Sequence, residues 1–489
     1  MNTSDSKYIE GRHRDGLRGL DQVPLGTVFK PGRFGRMFPQ LAALFATEED
    51  LTALGEAMSE ADGGASDGDN PTIPAGYTYL GQFIDHDITF DTTALSEQPR
   101  DPQAIFNFRT PQLELDSVYG TGPAGMPHLY QRDNPAKFAI GLTSATPGGG
   151  DGTLPTSMPH DLPRMPSTGF AVIGDPRNDE NLVVAQTHLA FMKFHNRVVD
   201  QEAVAFEAAR RLVRWHYQWI VLNDFVRRLV EPGVLDDVLQ NGRRFYLFDG
   251  EPYIPVEFAV AAYRLGHSMV RDAYNYNRVF RFGGVTPASL DLLFRFSGLS
   301  GTGGDVPIPS DWIIDWRRFY EVGQSTEPVL GFSRKLDPML APRLQNVPNV
   351  GSLAAANLRR GLRRGLPSGQ SVAAAMGIAP LPPAAFDQPD PHPDAKARAL
   401  GFDAATPLWY YILKEAEVQG GGQRLGAVGS RIIAEVFVGL LEGDPESYLA
   451  QDRLWRPTLG RVPGQFEMAD LLEYVGELNP IGEAALAPA

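Results

Sequence analysis

Apolar side chains recur three and four residues apart over several long stretches of the chain, a spacing that predicts helices. The clearest stripe is Ala208, Leu212, Trp215, Trp219, Leu222, Phe225 and Leu229, stopped by Pro232-Gly233; it predicts one helix with that stripe in the core. Further helices are predicted over about 180–200, from Pro255 through Val270, and near 427–441. Alternating strand patterns are scarce, and neither a fixed repeat nor a strand-helix alternation is visible. Segments 61–72, 144–168 and 379–394 are rich in Gly, Pro, Ser and Asp and read as loops. The expectation is a mainly α chain: a single large helical domain over 21–475 with long loops and little sheet, flanked by tails at 1–20 and 476–489. Within the first tail, Ile9-Glu10-Gly11-Arg12 reads like a protease-site tag.

One stretch breaks the apolar pattern in a costly way. Tyr79-Leu80-Gly81-Gln82-Phe83-Ile84-Asp85-His86-Asp87-Ile88-Thr89-Phe90 packs an amide, two carboxylates and an imidazole into an otherwise apolar helix. If it is helical, Gln82 and His86 share one face, Asp85 lies beside them, and Asp87 is turned about 100° from His86. Two adjacent polar sites follow.

Composition narrows what those sites serve. The 489 residues are 43% hydrophobic and 21% charged, ordinary for a folded soluble protein. No apolar run approaches the roughly 18 residues of a membrane span. A net charge of −15 argues against nucleic acid or an anionic membrane as partner. Cysteine is absent, which removes disulfides, thiolate metal sites and cysteine nucleophiles. The N-terminus lacks the regions of a secretory signal, so a cytoplasmic or non-classically exported protein is expected.

Three more segments carry chemistry. His267 follows Gly266 on an apolar stripe with Val260, Tyr263 and Val270; a helical Gly costs about 1 kcal/mol relative to Ala, and a large body close to the backbone is one reason to accept it. In Ile173 to Asn181, Asp175 can cap a helix that Pro176 opens, which puts Arg177 in the first turn, either as a surface ion pair or as a fixed cation for an oxygen that becomes anionic. From Thr110 to Asp116 oxygen-bearing side chains alternate, a pattern that suits a hard cation such as Ca²⁺ or, equally, a polar edge strand. Of the other histidines, His188, His195 and His216 lie on helices, where a hydrogen-bonded core role is the ordinary one, and His13, His128, His160 and His392 sit in polar or Pro/Gly-rich sequence.

Taken together these segments resemble the peroxidase-cyclooxygenase superfamily, the animal-type haem peroxidases, and the overall spelling is similar to a bacterial branch. The motifs run in order from about Gly81 to Leu366: Gly81-Gln82 with Asp85-His86-Asp87, Thr110 to Gly120, Gly174-Asp175 with Arg177 and Glu180, His195-Asn196-Arg197, Arg264 with Gly266-His267-Ser268, and Asn357 with Arg360-Gly361. The resemblance implies a helical haem-peroxidase domain holding haem b and Ca²⁺. It matches His86 to the distal histidine, Arg177 to the distal arginine and Gln82 to the amide above the iron. His267 matches the proximal iron ligand and Asn357 the acceptor for its other N–H. Arg264 and Arg360 match propionate partners, Asp85 and Glu180 the carboxylates that form ester links to haem, and Asp87, Thr110, the Gln112 carbonyl, Glu114 and Asp116 the calcium ligands.

Three positions depart from the family pattern. Asn181 stands where myeloperoxidase has a sulfonium-forming methionine, Glu114 replaces the usual Asp, and Asp116 replaces a Ser. The function implied is a hydrogen-peroxide-dependent oxidation of small organic donors or halides, iodide and bromide in particular. A fatty-acid dioxygenase of the same superfamily is the nearest alternative, although the tyrosine it needs three residues before His267 is Arg264 here. A non-catalytic haem- or calcium-binding protein is the other; it would have no use for His86, Arg177 and Gln82.

Overall fold

Helices dominate the computed structural model of the protein, which describes residues 32–60, 68–90, 106–146, 153–299, 305–323, 330–347 and 350–483. The elements that frame the site are α1 (Glu48–Ala57), α2 (Gly76–Ile88), α3 (Leu182–Gln201), α4 (Phe206–Ile220), α5 (Leu353–Arg363), α6 (Leu408–Gly420), α7 (Ala427–Glu442) and α8 (Met468–Val475). Local chemistry starts them: the Asn181 side chain accepts from Val184 N at 3.0 Å to cap α3, and Ser352 accepts from Ala355 N at 3.2 Å to cap α5.

The helices bury one connected apolar core. α2 packs on α3, where Phe83 stacks on Phe191 with ring centroids 4.8 Å apart. α8 packs on α3, α6 lies on α7, and α5 lies on α1. The last pair is close enough that a Cβ on Gly55 would stand 2.4 Å from Ala355 N, so glycine is required there. Sheet is limited to short pieces. β1 (Gly32–Gly35) pairs antiparallel with Phe106–Asn107 and parallel with Ile254–Pro255, in registers Gly32 to Asn107 and Phe34 to Ile254. No helix among the described residues is long and apolar enough to cross a membrane.

The fold departs from the sequence reading at three places. Residues 69–72, the end of the loop read over 61–72, belong to a strand, Asp69–Pro74, that pairs antiparallel with Phe332–Arg334. The stripe read through α4 holds only in its second half: Leu222, Phe225 and Leu229 are fully buried, whereas Ala208, Leu212, Trp215 and Trp219 are partly covered and Ala209, Val213, Tyr217 and Ile220 take the core. A π-helical turn over Val221–Val226 is the reason, because one extra residue in a turn shifts the phase of every later side chain. The third is the helix expected from Pro255 through Val270. It stops after Val256–Ala259, the chain breaks at Ala261, and a 3₁₀ turn over Ala262–His267 follows. Arg264 Nε donates to the Ala259 carbonyl at 3.0 Å, satisfying an oxygen that the break leaves without a helical partner. The tails, His13 and the protease-site-like residues lie outside the described residues, except 476–483.

Candidate active site

The helical reading of Gly76–Ile88 places Gln82, Asp85 and His86 on the wall of a cavity of about 470 Å³ and buries Asp87 away from it. Arg177, Glu180, Asn181, Arg264, Gly266, His267 and Arg360 line the same cavity. Residues from four widely separated parts of the chain therefore meet around one space. Two hydrogen bonds hold α2 to the turn that carries His267: the Tyr263 hydroxyl donates to Gly81 O at 3.1 Å, and Thr78 Oγ1 donates to Met269 O at 3.4 Å.

The second wall comes from Asp175 to Asn181. Asp175 accepts from Arg177 N at 2.9 Å and caps a 3₁₀ turn over Pro176–Asp179, with Pro176 at its first position. The same carboxylate binds Arg177 Nη2 at 2.7 Å, and Nη2 also donates to His86 O at 2.9 Å. Phe90 lies 4.4 Å from the guanidinium and covers it. Nη1 makes no hydrogen bond among the described residues, so the arginine is held by one edge and offers the other. Gln82 is held too: its Nε2 donates to Glu180 at 3.3 Å, and its Oε1 accepts from Asn181 Nδ2 at 3.0 Å.

Electrostatics on this wall favour a neutral imidazole. Burial, then the Arg177 charge, push His86 down to about 4, so its ring is uncharged near neutrality. Burial works against ionising Asp175, yet Arg177 and Arg109 hold it well below the usual carboxylate range. Glu180 behaves oppositely: burial raises it to about 7 despite Arg177. Its side chain is 39% exposed, but that exposure is to the cavity, so removal from bulk water still governs it.

On the remaining wall, burial followed by the Arg264 and Arg360 charges push His267 down to about 3, again a neutral ring. Asn357, from α5, reaches behind it with its side-chain amide 2.5 Å from Nδ1. As oriented, Nδ2 faces the ring; an amide nitrogen donates, so the ring proton would sit on Nε2. The acceptor role expected of Asn357 requires the amide turned by 180°, Oδ1 taking the Nδ1 proton and leaving the Nε2 lone pair to the cavity. Trp409 of α6 stands edge-on to His267 at 6.3 Å and donates through Nε1 to Arg264 O at 3.2 Å, which fixes the turn. A Cβ on Gly266 would meet nothing within 4 Å. The backbone there faces open space, the cradle for a large body that the sequence suggested.

The loop from Thr110 to Asp116 is not an edge strand. Thr110 to Leu115 is irregular and wraps Asp87, with Leu115 at φ 58, a left-handed conformation costing about 1 kcal/mol. That geometry lets Leu115 N donate to Asp87 at 3.1 Å; Ser117 Oγ donates to Asp87 at 3.4 Å and Thr110 Oγ1 to Glu114. Burial, then the Asp116 charge, raise Asp87 far above its ordinary value and Glu114 to about 7; burial also raises Asp116. One Asp116 oxygen is buried with no hydrogen-bond partner. Gln112 is partly buried in the same loop. The orphaned oxygen suits a divalent cation, while the ligand atoms of Asp87, Glu114 and Asp116 do not all lie close to one another.

Two residues in the site were missed by sequence reasoning. Asn178 is fully buried with its amide at 2.8 Å from His86 Nδ1. Arg109 bridges Asp116, at 2.9 Å, and Asp175, and so ties the Thr110–Asp116 loop to the turn that carries Arg177. Both sit inside or beside quoted motifs, but their partners are distant in sequence. His188, His195 and His216 take core roles, bonded to Asn178, to Tyr119 and Ala136, and to Leu212. Among the described residues, one group of three metal-ligating side chains has mutually close ligand atoms: His392, Asp394 and Glu417. The Lys414 ammonium already fills it, 2.5 Å from Asp394 and 3.0 Å from Glu417.

Comparison with known proteins accords with this arrangement. The family model described as animal haem peroxidase matches residues 93–287. Chorion peroxidase of Drosophila melanogaster is 26% identical over 323 residues, 61% of this chain and 36% of its own. The chain spans between 19% and 37% of the length of the curated relatives it matches. Among solved structures, peroxidase A of Dictyostelium discoideum superposes with a TM-score of 0.62 at 15% identity, covering 93% of this chain and 95% of that one. A fatty acid alpha-dioxygenase of Arabidopsis thaliana gives 0.55 at 13% identity, with 93% and 77% covered. The chain thus shares the fold of these peroxidase and dioxygenase structures and, over residues 93–287, is similar to the animal haem peroxidases.

Proposed function

We propose that the protein, over residues 21–475, is a haem peroxidase that uses hydrogen peroxide to oxidise small organic donors or halides, iodide and bromide in particular. One observation carries the reading: two neutral imidazoles, His86 and His267, line a single cavity that also holds Arg264 and Arg360. These residues fit haem b. His267 Nε2 would ligate the iron once Asn357 accepts the Nδ1 proton, Arg264 and Arg360 would meet the propionates, and the backbone at Gly266 leaves room for the ring. When bound, haem supplies the redox chemistry that takes oxidising equivalents from peroxide and passes them to donors.

The protein's own part is proton movement and charge. Neutral His86 accepts a proton from hydrogen peroxide at Nε2 and returns it to the departing oxygen, which leaves as water. Arg177, held by Asp175 on one edge, directs Nη1 at the negative charge that develops as the O–O bond opens. Gln82, fixed by Glu180 and Asn181, offers a rigid amide beside them. Asp85 and Glu180 are the carboxylates that could esterify the ring, and Asn181, which has no sulfur, rules out the sulfonium link. The absorption spectrum of purified protein tests the reading. A Soret band is expected, and its absence would sink the haem assignment; retention of colour after acid-acetone extraction reports an ester through Asp85 or Glu180.

The second site is proposed to hold Ca²⁺ through Asp87, Thr110, the Gln112 carbonyl, Glu114 and Asp116. Without the ion, the folded protein keeps protons on these raised carboxylates that the unfolded chain releases, so stability falls as pH rises from about 4 through about 7. The ion replaces those protons. Calcium is therefore expected to raise Tm more at about pH 8 than at about pH 5, by calorimetry with ion against chelator. An equal shift at both values, or none, removes the site.

A dioxygenase reading rests on Tyr263, which lines the cavity. Its hydroxyl is engaged by Gly81 O and it sits one residue from the position the chemistry needs. Oxygen uptake with linoleate and no added peroxide separates the two.

A further inference from the structure

The side chain of Asn178 joins two imidazoles. It lies in the 3₁₀ turn after Asp175, fully buried, with its backbone N donating to Asp175 O at 3.1 Å. Its Oδ1 is 2.8 Å from His86 Nδ1, and its Nδ2 is 2.9 Å from His188 Nδ1. An amide oxygen can only accept and an amide NH₂ can only donate. His86 therefore carries its proton on Nδ1 and has a lone pair on Nε2, while His188 accepts at Nδ1 and carries its proton on Nε2.

That second proton marks what the arrangement serves. His188 Nε2 is buried with no hydrogen-bond partner, beside the edge-on ring of Phe83 at 6.1 Å. Were the amide turned over, its NH₂ would face His86 Nδ1, and the His86 proton would move to Nε2, where it blocks proton acceptance from peroxide. The observed orientation leaves the unsatisfied N–H on His188, away from the cavity, and the free lone pair on His86, which lines it.

We propose that Asn178 is a positioning residue that keeps the proton of His86 on Nδ1, so that Nε2 faces the cavity as a base. The proposal rests on the peroxidase reading and adds to it a residue that touches neither peroxide nor cofactor. The charged groups around His86 are Arg177 and Asp175 from the same turn segment, Glu180 after it, and Asp85 on α2.

The test uses protein labelled with ¹⁵N at histidine. Long-range ¹H–¹⁵N correlation of the haem-free protein reads the tautomer directly, with His86 assigned from the signal lost in His86→Gln. Protonated Nδ1 and bare Nε2 are expected in the wild type, and a shift toward protonated Nε2 in Asn178→Leu. In the haem-loaded protein, Asn178→Leu is expected to slow the reaction with peroxide by about 10- to 100-fold, the usual loss when the partner of a working imidazole is removed. Asn178→Asp keeps an acceptor at Nδ1, so it retains the tautomer but moves the acid limb of the rate profile to higher pH; it also serves if Asn178→Leu does not fold. Protonated Nε2 in the wild type, or an unchanged tautomer in Asn178→Leu, overturns the proposal. Haem-loaded wild type that is inert to peroxide would overturn the peroxidase reading while leaving the tautomer measurement to judge Asn178.

Discussion

Protein with His267 replaced by alanine is expected to purify with little haem and to show no peroxidase turnover. The imidazole lines the cavity and is neutral, and with the Asn357 amide turned so that Oδ1 takes the Nδ1 proton, its Nε2 lone pair would be available to an iron. Removing it leaves Arg264 and Arg360 to hold only the charged rim of the cofactor, and leaves the Asn357 amide buried without its partner. Loss of a hydrogen-bond partner of this kind costs about 1–3 kcal/mol, which the large core absorbs, so far-UV circular dichroism should stay native. Tight haem with normal turnover in His267→Ala would end the assignment of that residue.

His86→Ala is expected to behave differently: the Soret band persists, because no ligand to iron is lost, and the reaction with peroxide slows by about 10² to 10⁴, the contribution of a positioned acid-base group. The pH profile of the wild type carries a second signature. An imidazole near its ordinary value would lose function below about pH 6.5. His86 is pushed down to about 4, so it stays neutral, and able to accept a proton, until the pH falls to that value. Stopped-flow measurement of the peroxide reaction should show a plateau above the limb and a fall through it. A limb near 6.5, or a rate unchanged in His86→Ala, would take His86 out of the chemistry.

Legibility followed the range of the interaction. The helical spacing of Gln82, Asp85, His86 and Asp87 was readable because four residues on one turn and a half have their directions set by backbone geometry alone. Asp175, Pro176 and Arg177 were readable for the same reason, as a cap, a first helical position and a first-turn cation. Periodicity failed where the turn changed type. The π-helical turn at Val221–Val226 re-phased the stripe that begins on α4, and the break at Ala261 divided a helix that composition had joined.

Partners distant along the chain were beyond local patterns. Asn178 and His86 are 92 residues apart, and Asn357 and His267 are 90 apart. Which amide meets which imidazole depends on the packing of α2 on α3 and of α5 near the His267 turn. Arg109 shows the same limit: nothing beside Thr110 indicates that its guanidinium binds both Asp116 and Asp175.

By itself, then, the sequence determined the helical class, the two-sided polar segment on α2 and the ordered set of chemical groups, since each depends on neighbours within a few residues. Tertiary structure decided that the two imidazoles share one cavity, that both are neutral, and which protein groups hold their Nδ1 atoms. Burial and long-range contact set those properties, and neither exists until the chain has packed.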